Sequence, residues 1–288
     1  MTSTAAATGT RSTVRTWFIT GATSGIGRAL TTAALGRGDN VTVLARRTEQ
    51  FSDLATEHAE RVLLIDTDVR DAESVGAAVQ RTLDRFGRID VVANNAGFGV
   101  FGAVEEASDA QARAIFDTNV FGVLNVLRAT LPVLRKQRSG HLLQGSSYYG
   151  QTAHPGVGML AATKYAVEGL TDALVGEVAP LGIKVTLVEP GPTATAFLSN
   201  LDVAATDSDY DQTVREVQRA IGALPAEAFN APERVATAIL AAVDAEQPPL
   251  RLATGSAAAR DMRAALQARL DELDTWAEVT NAVDTPAA

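Results

Sequence analysis

Short apolar runs alternate with helical patterns from about residue 14 to about residue 255. The runs are four to seven residues long and mostly β-branched or leucine-rich, which is typical of buried strands. The seven predicted strands span 14–20, 40–45, 61–66, 89–93, 141–145, 183–188 and 250–253. The clearest predicted helices span 25–37, 71–86, 110–137 and 159–179. This alternation restricts the chain to βαβ units and favours one doubly wound, seven-stranded parallel sheet in a three-layer α/β/α domain.

The composition agrees with this α/β architecture and excludes several classes of function. Apolar residues make up 46% of the 288 residues but aromatic residues only 5%, so Ala, Val, Leu and Ile fill the core. The formal charge of −9 opposes polyphosphate backbones, so we expect no nucleic acid partner. The absence of cysteine excludes disulfides, thiolate metal sites and a cysteine nucleophile, and we expect no metal. With no membrane span and no signal-peptide core in the sequence, we expect a cytoplasmic protein without membrane contact.

Three regions depart from the regular alternation. Residues 1–13 are small and polar, and we expect them to be disordered. Residues 194–230 interrupt the 14–255 domain with Asp, Ser, Thr and Ala, which predicts an insertion that covers a ligand crevice as a substrate lid. Residues 256–288 form a polar, helical tail with Leu266, Leu270 and Leu273 on one side, which packs on the domain or on a partner subunit.

A glycine motif, T-G-A-T-S-G-I-G, runs from Thr20 to Gly27, directly after the first strand and at the start of a helix. Gly21 permits a tight turn, Gly25 lets the backbone approach a pyrophosphate, and Gly27 allows close helix packing. The helix that begins after Ser24, with Ile26 in its first turn, offers free N–H groups to the phosphates. In this context the motif predicts a Rossmann-type dinucleotide site.

The end of the second strand, V-T-V-L-A-R-R, indicates which dinucleotide binds. A site for NAD normally places Asp or Glu near Ala45 to accept the ribose 2′-hydroxyl. Here Arg46 and Arg47 follow the small residue, and a guanidinium suits a 2′-phosphate. The sequence therefore predicts NADP(H) as the cofactor.

Several further motifs occur in order along residues 14–255: Asp68-Val69, N-N-A-G from Asn94 to Gly97, D-T-N-V-F-G around Asn119, and P-G-P-T-A-T from Pro190 to Thr195. With the glycine motif they give a chain that resembles the short-chain dehydrogenase/reductase family. The resemblance implies that cofactor-binding residues surround one cleft. Asp68 and Val69 would flank the adenine, Asn94 and Gly97 would line the cofactor floor, and Pro190, Gly191, Thr193 and Thr195 would meet the nicotinamide end.

The family's chemistry uses an Asn, a Ser, a Tyr and a Lys, with the last two one helical turn apart. Asn119, Ser147 and Lys164 match three of these positions, but the tyrosine position is Leu160, which cannot donate a proton. Tyr165 points about 100° away from this helix face and does not restore the motif.

Three other side chains are candidates for the missing proton donor: Tyr148, Tyr149 and His154, of which we place Tyr149 first. Gly145, where the family usually has an aliphatic residue, is expected to make the end of its strand roomier or more flexible.

We expect an NADP(H)-dependent oxidoreductase, such as a ketone or imine reductase, that acts on a small and mostly apolar molecule. Three alternatives remain open: a non-redox enzyme for elimination, cyclisation or isomerisation, an NADPH-sensing pseudoenzyme, and an ordinary ketoreductase whose tyrosine was deliberately replaced by leucine. The resemblance also implies a homodimer or homotetramer formed through helices 110–137 and 159–179.

Overall fold

The computed structural model describes residues 14–284, so the predicted N-terminal disorder at 1–13 and the last four residues of the tail lie outside the described residues. The strands are β1 (Thr16–Thr20), β2 (Asn40–Ala45), β3 (Val62–Asp66), β4 (Val91–Asn94), β5 (Val100–Phe101), β6 (Gly140–Gly145), β7 (Ile183–Pro190), β8 (Asp202–Val203) and β9 (Arg251–Thr254). The helices are α1 (Gly25–Gly36), α2 (Ser52–Glu57), α3 (Ala72–Phe86), α4 (Asp109–Phe116), α5 (Gly122–Gln137), α6 (Gly158–Val178), α7 (Val214–Gly222), α8 (Pro232–Asp244), α9 (Ser256–Thr275) and α10 (Ala277–Asn281).

The central sheet has seven parallel strands in the order β3-β2-β1-β4-β6-β7-β9, as the sequence predicts. Apolar side chains on one face pack against α1 and α8, and those on the other face pack against α3, α5 and α6. The strand order reverses at β1, because β2 follows on one side and β4 lies on the other. A crevice therefore opens at the carboxyl ends of β1 and β4, where doubly wound sheets bind their ligands.

The predicted helical stretch at 110–137 is confirmed in its bounds, but a π-helical segment that was not predicted divides it. The structure has α4, then a π-helical segment at Asp117–Phe121, then α5. The Gly122 N–H donates to the Asp117 carbonyl, which is the i→i+5 bond of a π-turn. The wider turn leaves Asn119 buried inside the domain. Apolar periodicity could not reveal this interruption, because helical contacts continue on both sides of it.

Residues 194–230 contain short elements that the sequence pattern does not predict. Strand β8 pairs in parallel with β5, with Val100 beside Asp202 and Phe101 beside Val203, and α7 follows. The Glu106 carboxylate fastens this segment, since it accepts the Asp207 N–H at 2.7 Å and pairs with the buried Arg215 guanidinium. The segment is thus attached to the loop after β5. In the described residues, no helix has the length and apolar character required to cross a bilayer.

Candidate active site

The crevice at the carboxyl edge of the sheet is a cavity of about 930 Å³. It is lined by the ends of β1, β2, β4, β6 and β7 and by the residues that follow each of them. Most of the sequence-predicted site residues line this cavity together. They are Gly21, Ser24, Gly25, Ile26, Arg46, Arg47, Asp68, Val69, Asn94, Gly97, Ser147, Tyr149, Leu160, Lys164, Pro190, Gly191, Thr193 and Thr195. Gly27 and Asn119 lie behind the wall and support it.

The turn after β1 has the geometry of a phosphate cradle. Gly21 has φ +62°, and a Cβ atom there would lie 2.6 Å from the Ala96 Cα, so only glycine fits. A Cβ at Gly27 would lie 2.5 Å from the Asn95 Nδ2, which shows how closely α1 approaches the strand ends. Among the described residues, no side chain caps the first turn of α1 after Ser24. Its N–H groups remain available to an anion, so this turn fits a dinucleotide pyrophosphate.

The end of β2 presents two exposed cations to the same cavity. Arg46 and Arg47 are exposed and follow Ala45, which is buried against the sheet. After the neighbouring strand β3, the Asp68 carboxylate pairs with Arg70 at 2.5 Å. This hydrogen bond lowers the pKa of Asp68 despite partial burial, and the nearby Arg46 lowers it further. Asp68 therefore remains ionised.

The floor of the cavity is built by hydrogen bonds between neighbouring strand ends. The buried Asn94 donates from Nδ2 to the Gln144 Oε1 at 2.9 Å. The Asn119 side chain holds the backbone of Phe98, donating to its carbonyl at 2.9 Å and accepting its N–H at 3.1 Å. Asn119 thereby fixes the chain next to Gly97, beside the Lys164 ammonium. At the far end the Thr193 hydroxyl donates to the Gly191 carbonyl at 2.9 Å.

Lys164 projects from α6 into the centre of the cavity wall. Its Nζ donates to the Gly145 carbonyl at 2.8 Å, and burial lowers its pKa to about 8. Ser147 also lines the cavity, and its hydroxyl accepts the Tyr149 N–H at 3.2 Å and so caps a short 3₁₀ turn. The structure thus brings Lys164 and Ser147 to one cavity, with Asn119 as the support behind them.

Leu160 lies one helical turn before Lys164 and lines the cavity, but only 4% of its surface is exposed. It packs with the buried Val100 and Ile115. Leu160 is therefore closely packed. Gly145 differs from expectation, because a Cβ there would lie 2.5 Å from the Asn94 carbonyl oxygen. The residue permits close strand approach rather than extra room.

Tyr148 and Tyr149 both line the cavity, with their ring centroids 4.0 Å apart. The Tyr149 ring packs against the apolar cluster of Val100, Ile115 and Leu160, and its hydroxyl forms a hydrogen bond with the His154 Nε2. Burial raises the pKa of Tyr149, so its phenol stays protonated. The His154 Nδ1 lies 3.0 Å from the Pro155 carbonyl, which can only accept. Neutral His154 therefore carries its proton on Nδ1 and accepts the Tyr149 hydroxyl at Nε2.

A buried acidic cluster beneath Ser147 was not predicted from the sequence. The Glu168 carboxylate accepts the Ser146 hydroxyl at 2.5 Å, the Gln151 amide at 3.0 Å and the Arg251 Nε at 2.9 Å. Glu189, which is 1% exposed, accepts the same Gln151 amide at 3.2 Å. Desolvation and the Glu168 charge raise the pKa of Glu189 to about 7. The only sequence signal for the cluster is a glutamate within each of two apolar runs, A-V-E-G-L and L-V-E-P.

No group of three or more His, Asp or Glu side chains within residues 14–284 is arranged to hold a metal ion. His141 is buried in the sheet and shares a hydrogen bond of 2.9 Å with the Thr186 hydroxyl. Desolvation lowers the pKa of His141 to about 4. Its side chain lies in the strand layer rather than in the cavity lining.

Comparison with known proteins places this site in a family. Residues 15–223 match the family model for short chain dehydrogenases. The oxidoreductase BOA17 of Botryotinia fuckeliana is 36% identical over 266 residues, or 92% of this chain and 97% of that protein. A 3-ketodihydrosphingosine reductase of Bacteroides thetaiotaomicron is 34% identical over 240 residues, or 83% of this chain and 87% of that protein.

The fold gives the same result. A short-chain dehydrogenase from Streptomyces avermitilis is 36% identical and superimposes with a TM-score of 0.88, covering 95% of this chain and 100% of that one. The chain therefore belongs to the short-chain dehydrogenase/reductase family and is an oxidoreductase of that type.

Proposed function

We propose that the chain is an NADP(H)-dependent oxidoreductase that acts on the C=O or C=N bond of a small, mostly apolar molecule. The observation that carries the proposal is the single cavity that joins the Gly21–Gly27 turn, the Arg46–Arg47 pair and Lys164. One end of it suits an anionic dinucleotide and the other is lined by apolar and aromatic side chains. The usual tyrosine position is occupied by Leu160.

Different residues of the cavity would bind different parts of the cofactor. The first turn of α1 would hold the pyrophosphate, and Arg46 would pair with the 2′-phosphate while Arg47 adds positive charge. When bound, the cofactor supplies or accepts a hydride at its nicotinamide ring. With a pKa of about 8, Lys164 is mostly charged at pH 7 and can donate hydrogen bonds to the nicotinamide ribose.

We assign proton donation to Tyr149, supported by His154. During ketone reduction the Tyr149 hydroxyl turns from the His154 Nε2 to the developing alkoxide and gives it a proton, and the Tyr149 oxygen then takes a proton from solvent. This second transfer avoids a free phenolate, which burial of Tyr149 disfavours. The His154 ring, which is hydrogen-bonded to the Tyr149 oxygen and partly exposed, provides the route for that proton from solvent.

The apolar side chains around Tyr149 indicate the class of substrate. Phe98, Phe197, Leu201 and Leu224 line the cavity beyond the tyrosine. Several of them belong to residues 194–230, which we propose to be the substrate lid. This lining suits a hydrocarbon-rich carbonyl compound and offers nothing for a second phosphate.

The test compares Tyr149→Phe with Tyr148→Phe, since both tyrosines line the cavity and only Tyr149 contacts His154. NADPH oxidation is followed in single turnovers with a panel of ketones and preformed iminium ions. We expect Tyr149→Phe to slow ketone reduction at least about 100-fold, the low end for a positioned acid, and to leave iminium reduction unchanged. An unchanged ketone rate in this variant would contradict the assignment of Tyr149.

The apolar surroundings of Leu160 favour a second candidate, an NADPH sensor or a non-redox enzyme on the same fold. Normal NADPH binding without turnover on either class of substrate would support it.

We also propose that the protein forms a homodimer or homotetramer through α5 and α6. Finally, we propose a cytoplasmic location, a reducing environment that suits a cysteine-free chain.

A further inference from the structure

The C-terminal helix α9 begins on the domain and then leaves it. Ala258 and Met262, on its first two turns, are buried against the domain. From residue 266 to residue 284 every residue is exposed except Ala277. Further along the helix, Arg269 still contacts the domain: it donates to the Gln151 carbonyl at 2.7 Å and lies over the Tyr165 ring.

The apolar face of α9 continues beyond the domain contact. Leu266, Leu270 and Leu273 are 44%, 55% and 64% exposed. At about 100° per residue they share an arc of about 60°, which is the face that buries Met262 one turn earlier. An isolated helix of this length is marginal in water and is normally stabilised by packing of its apolar face. The leucine stripe therefore lacks a partner within the described chain.

The charges on α9 identify the kind of partner. The part of α9 up to residue 269 carries Arg260, Arg263 and Arg269 against one acid, Asp261. The following turns through α10 carry only acids, namely Asp271, Glu272, Asp274 and Glu278. A parallel copy would place like charges side by side, whereas an antiparallel copy places the basic half of each helix along the acidic half of the other. Flanking charges of this kind set helix orientation in coiled coils.

We propose that α9 is a homotypic interface, in which the leucine stripe pairs antiparallel with the same stripe of a second copy of this chain. With Leu266 opposite Leu273 of the other copy, the two-fold axis passes next to Leu270. Arg263 then lies within about 3 Å, measured along the helix axis, of the level of Asp274 in the other copy. This surface is separate from the α5 and α6 faces, so it does not depend on the proposed oxidoreductase function.

The absence of cysteine makes a direct test possible. Single-cysteine variants of the full chain are made at Leu266, Leu270 and Leu273, with two tags of different mass, and are oxidised mildly. Leu270→Cys should form disulfide-linked dimers with itself. Neither Leu266→Cys nor Leu273→Cys should form disulfide-linked dimers with itself, because the two copies of either residue lie about 10 Å apart along the axis. A mixture of the two variants should form linked dimers.

Sedimentation of unlinked protein provides an independent measurement. Leu270→Glu should halve the molecular mass in solution. The matched control Ala264→Glu, on the opposite face of the same helix, should leave the mass unchanged. Self-linking of both Leu266→Cys and Leu273→Cys would overturn the antiparallel arrangement. An absence of linkage in all variants, with equal masses for Leu270→Glu and the parent, would overturn the interface itself.

Discussion

At the scale of single residues, our proposal depends on Leu160, which lies one helical turn before Lys164. Its side chain packs with Val100 and Ile115, so the space next to Lys164 is apolar on the substrate side. Tyr149, in the turn after β6, packs against the same apolar cluster. In our proposal the proton donor is therefore Tyr149, in the turn that follows Ser147, and not a residue of α6.

Leu160→Tyr is expected to restore a phenol one turn before Lys164, where the ammonium favours the phenolate and lowers the pKa of the phenol. Simple ketones should then be reduced with NADPH about 100-fold faster than by Leu160→Phe, which adds the same ring without the hydroxyl. Single-turnover NADPH oxidation measures both variants. Equal rates would show that the cavity has been remodelled beyond its acid.

The cost of this change in stability also follows from packing. Because Leu160 is buried, a larger ring must displace Tyr149 or its neighbours, and we expect a loss of about 1–3 kcal/mol in the free energy of unfolding. Urea denaturation checks this for Leu160→Tyr and for Leu160→Phe. Unchanged stability in both variants would mean that Leu160 has more free space than its contacts indicate.

Some of this site could be predicted from sequence, and some could not. The positions of Lys164, Ser147 and Asn119 follow from spacing, because a motif on one helix or one strand end keeps its local geometry. The burial of Leu160 depends on Val100 and Ile115, which come from distant parts of the chain. Such long-range contacts leave no local pattern.

At the scale of elements, the site rests on the junction of α6, β7 and β9. Glu168 on α6, Glu189 on β7 and Arg251 on β9 meet around the Gln151 amide, directly behind Ser146 and Ser147. The Oε2 atom of Glu189 has no hydrogen-bond partner among the described residues. The strand and helix themselves were predicted from apolar periodicity, which ignores single acids within an apolar run.

The pH dependence of stability should report this junction. Glu189 has a pKa near 4.5 when unfolded and about 7 when folded, so the folded state binds more protons between these values. The free energy of unfolding should therefore fall, by roughly 1–3 kcal/mol, as the pH rises from 5 to 8. Lys164 changes the free energy of unfolding mainly at higher pH, because its pKa is about 8 in the folded state and about 10.5 in the unfolded state.

Glu189→Gln should flatten the profile between pH 5 and pH 8, since an amide cannot ionise. The control Glu177→Gln changes an exposed acid on α6 and should keep the slope of the parent. Denaturant unfolding at a series of pH values measures all three proteins. A parent whose stability rises across this range would contradict the assigned direction of the Glu189 shift.

At the scale of the whole molecule, one sheet carries both the core and the cavity. The strand ends that line the cavity, from β2 through β1, β4 and β6 to β7, are also the centre of the fold, with apolar clusters on both faces. The regular alternation of strands and helices predicted this arrangement, because helical crossovers make the strands parallel and so bring their carboxyl ends to one edge of the sheet. A ligand in the cavity contacts most of the sheet, so its binding should stabilise the domain as a unit.

Thermal unfolding should therefore distinguish the two dinucleotides. A charge-assisted contact between Arg46 and the 2′-phosphate should make NADPH bind at least about tenfold more tightly than NADH, or about 1.4 kcal/mol. At equal, saturating concentrations this difference in stabilisation should raise the melting temperature with NADPH a few degrees above that with NADH. Arg46→Ala should remove most of the gap, whereas Arg81→Ala, on the exposed face of α3, should preserve it. Equal melting temperatures with both dinucleotides in the parent would remove the case for NADP(H), because the Arg46 guanidinium would then make no contact that separates them.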